Sequence, residues 1–214
     1  MLIRTIHKQQ NQQGDTLIEV LFAVTVFSLI VVGALSLMNQ GTSASRRALE
    51  TTIARQAMDG QAETLRFMHE SYVTNYQSGA SYDTSDAATS PGEEYSRIVR
   101  NAIDFPKTNA SELTVTDACP ATAPEHSFVV EPRGATAVMN TSLIQQAEVY
   151  PELTYNASEV FSASRGIWVE AVRSTDATTN AGFIDFHIRT CWVSVGSSVP
   201  VTLGTIVRLY EPRG

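Results

Sequence analysis

The chain has 214 residues, 43% of them hydrophobic and 17% charged, with a formal net charge of -7 at pH 7. This length and composition fit one globular domain of ordinary size with an appended element, and exclude a miniprotein that depends on disulfides for its stability. The acidic balance disfavours simple electrostatic binding to nucleic acid, so we predict no direct nucleic-acid partner.

The N-terminal part of the chain combines a basic leader with an apolar segment. Residues 1–14 carry basic residues and no acidic ones, and residues 17–37 are almost wholly apolar. As a helix, the apolar segment would be about 30 Å long, which matches the hydrocarbon core of a bilayer. Cations before such a segment place its N-terminus in the cytoplasm. We therefore predict a single membrane-spanning helix over residues 15–38 and an exported remainder.

An ordinary secretory signal is the alternative for this segment. Such a signal has its cleavage site, made of small residues, after the apolar region. Residues 41–45 are rich in small side chains, although no clear start of a mature chain follows them. This alternative stays open at the level of the sequence.

The residues just before the apolar segment carry the most specific signal. They read Gly14-Asp15-Thr16-Leu17-Ile18-Glu19. This stretch resembles the type IV prepilin signature, in which a glycine precedes the processing site and a glutamate follows five residues into the mature chain. The resemblance covers only the leader and the first helix. It implies cleavage after Gly14 by a prepilin peptidase at the inner leaflet, retention of the apolar helix, and packing of such helices in a filament core.

Asp15 departs from the pattern of this family. Members usually have phenylalanine directly after the cut and methylate its amine, whereas this chain has an aspartate. The Asp15 carboxylate would stand beside the new amine and partly neutralise it within the same subunit. Whether the Asp15 amine is methylated therefore stays open at the level of the sequence.

Glu19 is the candidate assembly residue. A carboxylate within an apolar helix costs about 2.5 to 3.5 kcal/mol at the helix centre, so it normally has a partner. The resemblance implies that this partner is the free N-terminal amine of a neighbouring subunit, which would set the axial register. Alternatively, Thr16 and Glu19 form a capping box at the start of the helix. The two roles are compatible, and both stay open.

The helix is predicted to continue as an amphipathic segment over residues 39–75. Its apolar positions recur at helical spacings. They are Leu49, Ile53, Ala57, Met58, Leu65, Met68 and Tyr72. The opposite face, with Arg46, Arg47, Glu50 and Arg55, is expected to meet water or neighbouring subunits.

Residues 76–214 are predicted to form an α+β head of the general pilin layout, in which the long helix packs on a mostly antiparallel sheet. A surface loop over residues 77–92 precedes a short helix over 93–105, which Pro106 ends. A further helix is predicted over 143–150. Strands rich in β-branched and aromatic residues are predicted over 128–130, 167–172, 183–195 and 201–210, with a hairpin loop over 173–182.

In the third of these strands the side chains alternate between two kinds. Ile184, Phe186, Ile188 and Trp192 share one face, and Asp185, His187 and Arg189 share the other. This alternation favours a sheet that a helix covers on one side. Trp168, Trp192 and Tyr210 are expected to pack in the core rather than to form an adhesive surface.

Cys119 and Cys191 are the only cysteines, and they lack the spacing of a metal or redox motif. A structural disulfide is the leading prediction, which the oxidising environment of an exported head would permit. Two separate buried thiols are the alternative.

Motifs of enzymes and of metal sites are missing from the sequence. We predict no enzyme activity, no cofactor and no metal site. Asp83, Asp86, Glu93 and Glu94 supply oxygen atoms close together in the sequence, but without EF-hand spacing they are expected to lie in a solvated loop.

The resemblance to prepilins thus implies a structural subunit of a type IV pilus or pilus-like filament. It would sit in the cytoplasmic membrane as a single-pass protein before assembly, and on the cell surface afterwards. The expected partners are a prepilin peptidase, other pilin subunits and the assembly platform of the inner membrane. A pseudopilin of a secretion or competence machine is the alternative, followed by a signal-anchored enzyme or binding module. Adhesion, twitching motility and DNA uptake all remain open roles.

Overall fold

The computed structural model describes residues 15–77, 90–104, 113, 118–175 and 182–212, with the backbone alone for Asp15, Thr16, Gln77 and Thr175. The predicted leader with Gly14, the acidic residues Asp83 and Asp86, and Pro106 lie outside the described residues. So do most of the loop predicted over 77–92 and the central part of the hairpin loop predicted over 173–182.

The first element is a helix of 63 residues, α1, which spans Asp15–Gln77. The chain divides into two compact units, Met1–Arg47 and Ala48–Gly214, so α1 contributes to both of them. The second unit, which we call the head, contains the last part of α1 and all the other elements. Together these elements make an α+β protein with a long N-terminal helix, as predicted.

A second helix, α2, spans Pro91–Asp104, where the sequence predicts a helix over 93–105. Ser90 and Glu93 form a capping box at its start, since the Ser90 N–H donates to Glu93 and the Glu93 N–H donates to the Ser90 hydroxyl. Proline fits the first position of a helix, where no N–H partner is needed. The buried face of α2 includes Tyr95 and Ile98.

Within the described residues, eight strands form three sheets. The largest sheet is antiparallel with the order β6-β7-β8, the second has the order β3-β5-β4, and the third is the pair β1-β2. The strands are β1 Val129–Glu131, β2 Thr136–Val138, β3 Ile144–Gln145, β4 Glu152–Tyr155, β5 Phe161–Arg165, β6 Ile167–Thr175, β7 Gly182–Trp192 and β8 Val201–Tyr210. In the second sheet β3 is parallel to β5, and β4 is antiparallel to it.

The main core lies between the helices and one face of the β6-β7-β8 sheet. On β7 this face carries Ile184, Phe186, Ile188 and Trp192, all of them buried, which confirms the predicted alternation. The Tyr95 ring of α2 meets the Phe186 ring edge to face, with centroids 6.1 Å apart. Met58 and Leu65 of α1 belong to the same cluster. The helices therefore cover this face of the sheet.

The prediction of a helix over residues 143–150 is wrong. A short 3-10 helix, Thr141–Leu143, is followed at once by β3, and the Asn140 side chain accepts a hydrogen bond from the Ser142 N–H at its start. Ile144 is buried, and β3 pairs with the distant strand β5. This non-local pairing decides the structure here, and the local spacing of apolar residues does not reveal it.

Two expectations about exposure are also wrong. Glu94 does not lie in a solvated loop, because it is buried in α2, where it accepts hydrogen bonds from Arg97 and from the Ala137 N–H. Tyr210 does not pack in the core, since its side chain is 60% exposed. It lies opposite Phe183, on the face of the sheet away from the helices.

Candidate assembly segment and its attachment to the head

The first part of α1 has an exposed apolar surface. Every large hydrophobic side chain between Leu17 and Met38 is between 38% and 73% exposed. Among the described residues, α1 is the single helix that is long and apolar enough to cross a membrane. We call residues 17–38 the apolar segment. In water its side chains would have a large hydrophobic cost, so by length and composition this segment could cross a membrane.

The hydroxyl groups within the apolar segment are satisfied inside the helix. The Thr25 hydroxyl donates to the Phe22 carbonyl, and the Ser28 hydroxyl donates to the Val24 carbonyl, both over 2.8 Å. A hydroxyl that bonds to its own helix needs no external partner in an apolar environment. These polar residues are therefore compatible with a membrane or with a protein core.

Glu19 is the one charged residue of the apolar segment, and its side chain is exposed. Within the part of the chain that the structure describes, it has no hydrogen-bond or ion-pair partner. The described part of α1 is Asp15–Gln77, so it includes the backbone of Thr16. The side chains of Asp15 and Thr16 lie outside the description, and the capping box therefore stays a prediction.

The head binds α1 through a buried carboxylate that the sequence analysis placed on the wrong face. Glu50 is only 7% exposed, and it accepts a hydrogen bond of 3.1 Å from the indole N–H of Trp192 at the end of β7. Leu49, expected in the buried stripe, is 61% exposed instead. The reason is that Trp192 offers a donor in the core, and a buried carboxylate needs one.

Gln61 makes a second polar connection between α1 and the sheets. It is fully buried, its oxygen accepts a hydrogen bond of 2.7 Å from the Val130 N–H, and its nitrogen donates to the Val130 carbonyl. Both backbone groups of one residue in β1 are thus paired with one side chain. The arrangement fixes α1 against β1 along the chain direction.

The two cysteines are joined in a disulfide, which agrees with the leading prediction and excludes two separate thiols. The Cα atoms of Cys119 and Cys191 are 5.3 Å apart. The bridge lies in a small second cluster with Ile144 and Trp168, on the side of β6 and β7 away from the helices. It therefore attaches the segment around Cys119, which the sequence did not place, to the central strand β7.

Gly166 lets the chain turn beside this disulfide. It lies between β5 and β6 with a φ of +64°, and a Cβ atom there would come within 2.6 Å of the Cys191 carbonyl oxygen. Only glycine fits such a position without strain. The Cys191 N–H donates to the Gly166 carbonyl over 2.9 Å, which links the turn to β7.

A surface cleft of about 330 Å³ lies over β7 and β8, with Trp168, His187, Arg189 and Ile206 among its lining residues. His187 is buried, and this burial lowers its pKa, with a further lowering by Arg189 that Asp185 and Glu170 oppose. A neutral imidazole is thus favoured in the cleft. Its lining combines aromatic, cationic and hydroxyl groups but assigns no particular ligand.

The predicted site residues lie in different parts of the molecule. Glu19 belongs to the unit Met1–Arg47, and the disulfide belongs to the head. Glu50 and Gln61 are the polar residues that sequence reasoning missed. A signal for them existed, because Glu50, Ala54, Met58, Gln61, Leu65 and Met68 follow one another at intervals of three or four residues.

Comparison with known proteins gives no family for the chain. It matches no protein-family model, no curated protein and no solved structure. The residues and geometry described above are therefore the basis for inferring its function.

Proposed function

We propose that this protein is a structural subunit of a type IV pilus or a pilus-like filament. In this proposal a prepilin peptidase cleaves after Gly14, and the mature chain starts at Asp15. The subunit then waits in the cytoplasmic membrane, with its N-terminus inside, until an assembly platform adds it to the filament. It is not an enzyme, and it needs no cofactor.

The observation that carries the proposal is the continuity of α1. One helix contains the exposed apolar segment and continues into the core of an α+β head. A cleaved secretory signal would have no reason to share a helix with the core of the mature domain. A subunit that moves from a bilayer into a filament needs both parts of this helix in one piece.

The disulfide in the head also supports the proposal. A pilus subunit works outside the cell, where disulfides persist. The bridge between Cys119 and Cys191, with a sequence separation of 72 residues, is suited to such an environment. The pilin-like layout, a long helix packed on an antiparallel sheet, is part of the same proposal.

The test is to determine the N-terminus of the mature protein in two fractions, filaments sheared from cells and membranes. We expect Asp15 as the first residue in both. A Gly14→Ile variant serves as the control, because a bulky side chain before the cut should keep the leader on the chain and keep the protein in the membrane.

Three results would argue against the proposal in different ways. Met1 retained in the mature protein would exclude processing as a prepilin. A start after residue 41 would identify a secretory signal. Correct processing without any sheared polymer, but with short membrane-bound assemblies, would identify a pseudopilin instead.

A further inference from the structure

We infer that a second copy of this chain docks along α1 at an offset of 27 residues, with Glu19 of one subunit paired to Arg46 of its neighbour. The inference rests on the proposed function, since it names the contact through which neighbouring subunits would associate. It differs from a pairing of Glu19 with the N-terminal amine, which the resemblance to pilins implies.

The first observation concerns the charges of α1. From Val20 to Ser45 the sequence contains no Asp, Glu, Lys, Arg or His. This stretch is bounded by Glu19 on one side and by Arg46 on the other, and both side chains are exposed. Neither has an ion-pair or hydrogen-bond partner within the described residues. Two unpaired charges of opposite sign thus flank a long uncharged helix surface.

The second observation is the angle, measured about the helix axis, between the directions in which these two side chains project. Glu19 and Arg46 lie in the same compact unit, 27 positions apart on α1. In an α-helix this distance is about seven and a half turns and about 40 Å of rise. The two side chains therefore project from opposite sides of the helix. They cannot meet in one chain.

Opposite sides are what a repeated contact between parallel helices requires. In a row of parallel helices, each helix has one neighbour on each side. It contacts the first neighbour with one face and the second neighbour with the opposite face. A shift of about 40 Å along the axis then brings Glu19 of one copy to the level of Arg46 of the next. Because the two surfaces are different, the contact does not close into a pair but repeats, as a polymer needs.

The third observation is how the remaining residues match at this offset. An offset of 27 brings Phe22 to the level of Leu49, Gly33 to that of Gly60, and Gln40 to that of Phe67. Leu49 and Phe67 are 61% and 55% exposed, and they are apolar positions that the head leaves uncovered. Leu49 can therefore cover Phe22 in the apolar segment of the other copy, and Phe67 lies level with Gln40, just beyond that segment. Among these matched positions, only Glu19 and Arg46 are both charged.

The two glycines fit a close approach of the helices. A Cβ atom added at Gly33 or at Gly60 would have no atom within 4 Å, so space is open at both positions. Small residues at a helix crossing let the backbones approach and pack. The carboxylate and the guanidinium would then be held where water is largely excluded, and leaving either one alone there is costly.

Exchange of the two charges tests this inference. We expect Glu19→Arg alone and Arg46→Glu alone each to reduce the chain recovered in sheared filaments by roughly tenfold or more, because each leaves a desolvated charge without a partner. The double variant should recover most of the loss. Arg47→Glu is the matched control, since it makes the same change of charge one residue away on a different side of the helix.

A cross-linking measurement covers the case in which a charge exchange prevents insertion or processing. A carbodiimide joins a carboxylate to an amine in direct contact. Arg46→Lys should therefore give a cross-linked dimer in filaments, which Arg47→Lys does not give and which an added Glu19→Gln removes. The wild-type protein should show no Glu19-dependent dimer.

The outcomes separate this inference from the proposed function. A wild-type polymer with Asp15 at its N-terminus, together with a double variant no better than its worse parent and no Arg46→Lys dimer, would overturn the pair alone. A Glu19-dependent dimer in the wild type, with normal assembly by Arg46→Glu, would assign Glu19 to the Asp15 amine. Absence of any wild-type polymer would overturn the proposed function, and the pair with it.

Discussion

The apolar segment and the head contain the same kinds of hydrophobic side chain, but these side chains are exposed in the apolar segment and buried in the head. Phe22 in the apolar segment is 71% exposed, whereas Phe186 in the head is 0% exposed. Burial of such a side chain contributes about 1.5 to 3 kcal/mol. The head obtains this contribution from its own chain, and the apolar segment can obtain it only from a bilayer or from other molecules. Hydrophobicity alone thus does not decide whether a segment becomes core.

The largest effect that would test this contrast is the loss of a phenylalanine ring. Phe186→Ala should destabilise the head by about 3 to 5 kcal/mol, because it leaves a cavity among closely packed side chains. Phe22→Ala should change the unfolding of the head by less than about 0.5 kcal/mol, since Phe22 is exposed and belongs to the other compact unit. Urea unfolding in detergent, followed by the fluorescence of Trp168 and Trp192, measures both. Equal losses would show that the two regions fold as one unit.

Removal of the disulfide should have the next largest effect. Cys119→Ser combined with Cys191→Ser should lower the free energy of unfolding of the head by about 2 to 4 kcal/mol, because the unfolded chain then loses the constraint of a long closed loop. The same urea titration measures this change, and the wild-type protein kept under reducing conditions is the control. If the double variant unfolds at the wild-type urea concentration, the bridge is not a stabilising element.

A smaller effect is expected at the contact of Glu50 with Trp192, which anchors α1 in the head. Glu50→Ala should cost about 1 to 3 kcal/mol, because it leaves the buried indole N–H without an acceptor. Glu50→Gln keeps an acceptor oxygen and should keep most of the stability. The urea midpoint and the emission wavelength of the tryptophans report the change. A loss with Gln as large as with Ala would mean that the carboxylate charge, rather than the hydrogen bond, is required.

The elements that sequence reasoning found are those with a long and regular pattern. Helix α1, helix α2 and the strands β6, β7 and β8 carry enough periodic residues for their type and approximate bounds to be predicted. The strands β2, β3, β4 and β5 have two to five residues each, too few to establish a period. Their structure depends on pairing between distant residues, such as Ile144 with Ser164.

Prediction of the candidate site from the sequence has the same limit. The apolar segment and a disulfide between the two cysteines could be predicted from the composition and order of residues, whereas the assembly role of Glu19 stays a prediction. The burial of Glu50 could not be predicted from its type, because a carboxylate is usually exposed unless the fold supplies a donor. That donor, Trp192, lies 142 positions away in the sequence. Only the assembled head brings the two together.

The hydrogen bond between Glu50 and Trp192 also affects how the head would respond to an applied force. A tension applied to the head along α1 would meet this contact, and it would pass to Trp192 at the end of the central strand β7. The adjacent residue, Cys191, is bonded covalently to Cys119, and β7 is held on both sides by β6 and β8. The part of the pull that reaches Trp192 is therefore shared between two ladders of hydrogen bonds and one covalent bridge, while Gln61 passes another part to β1.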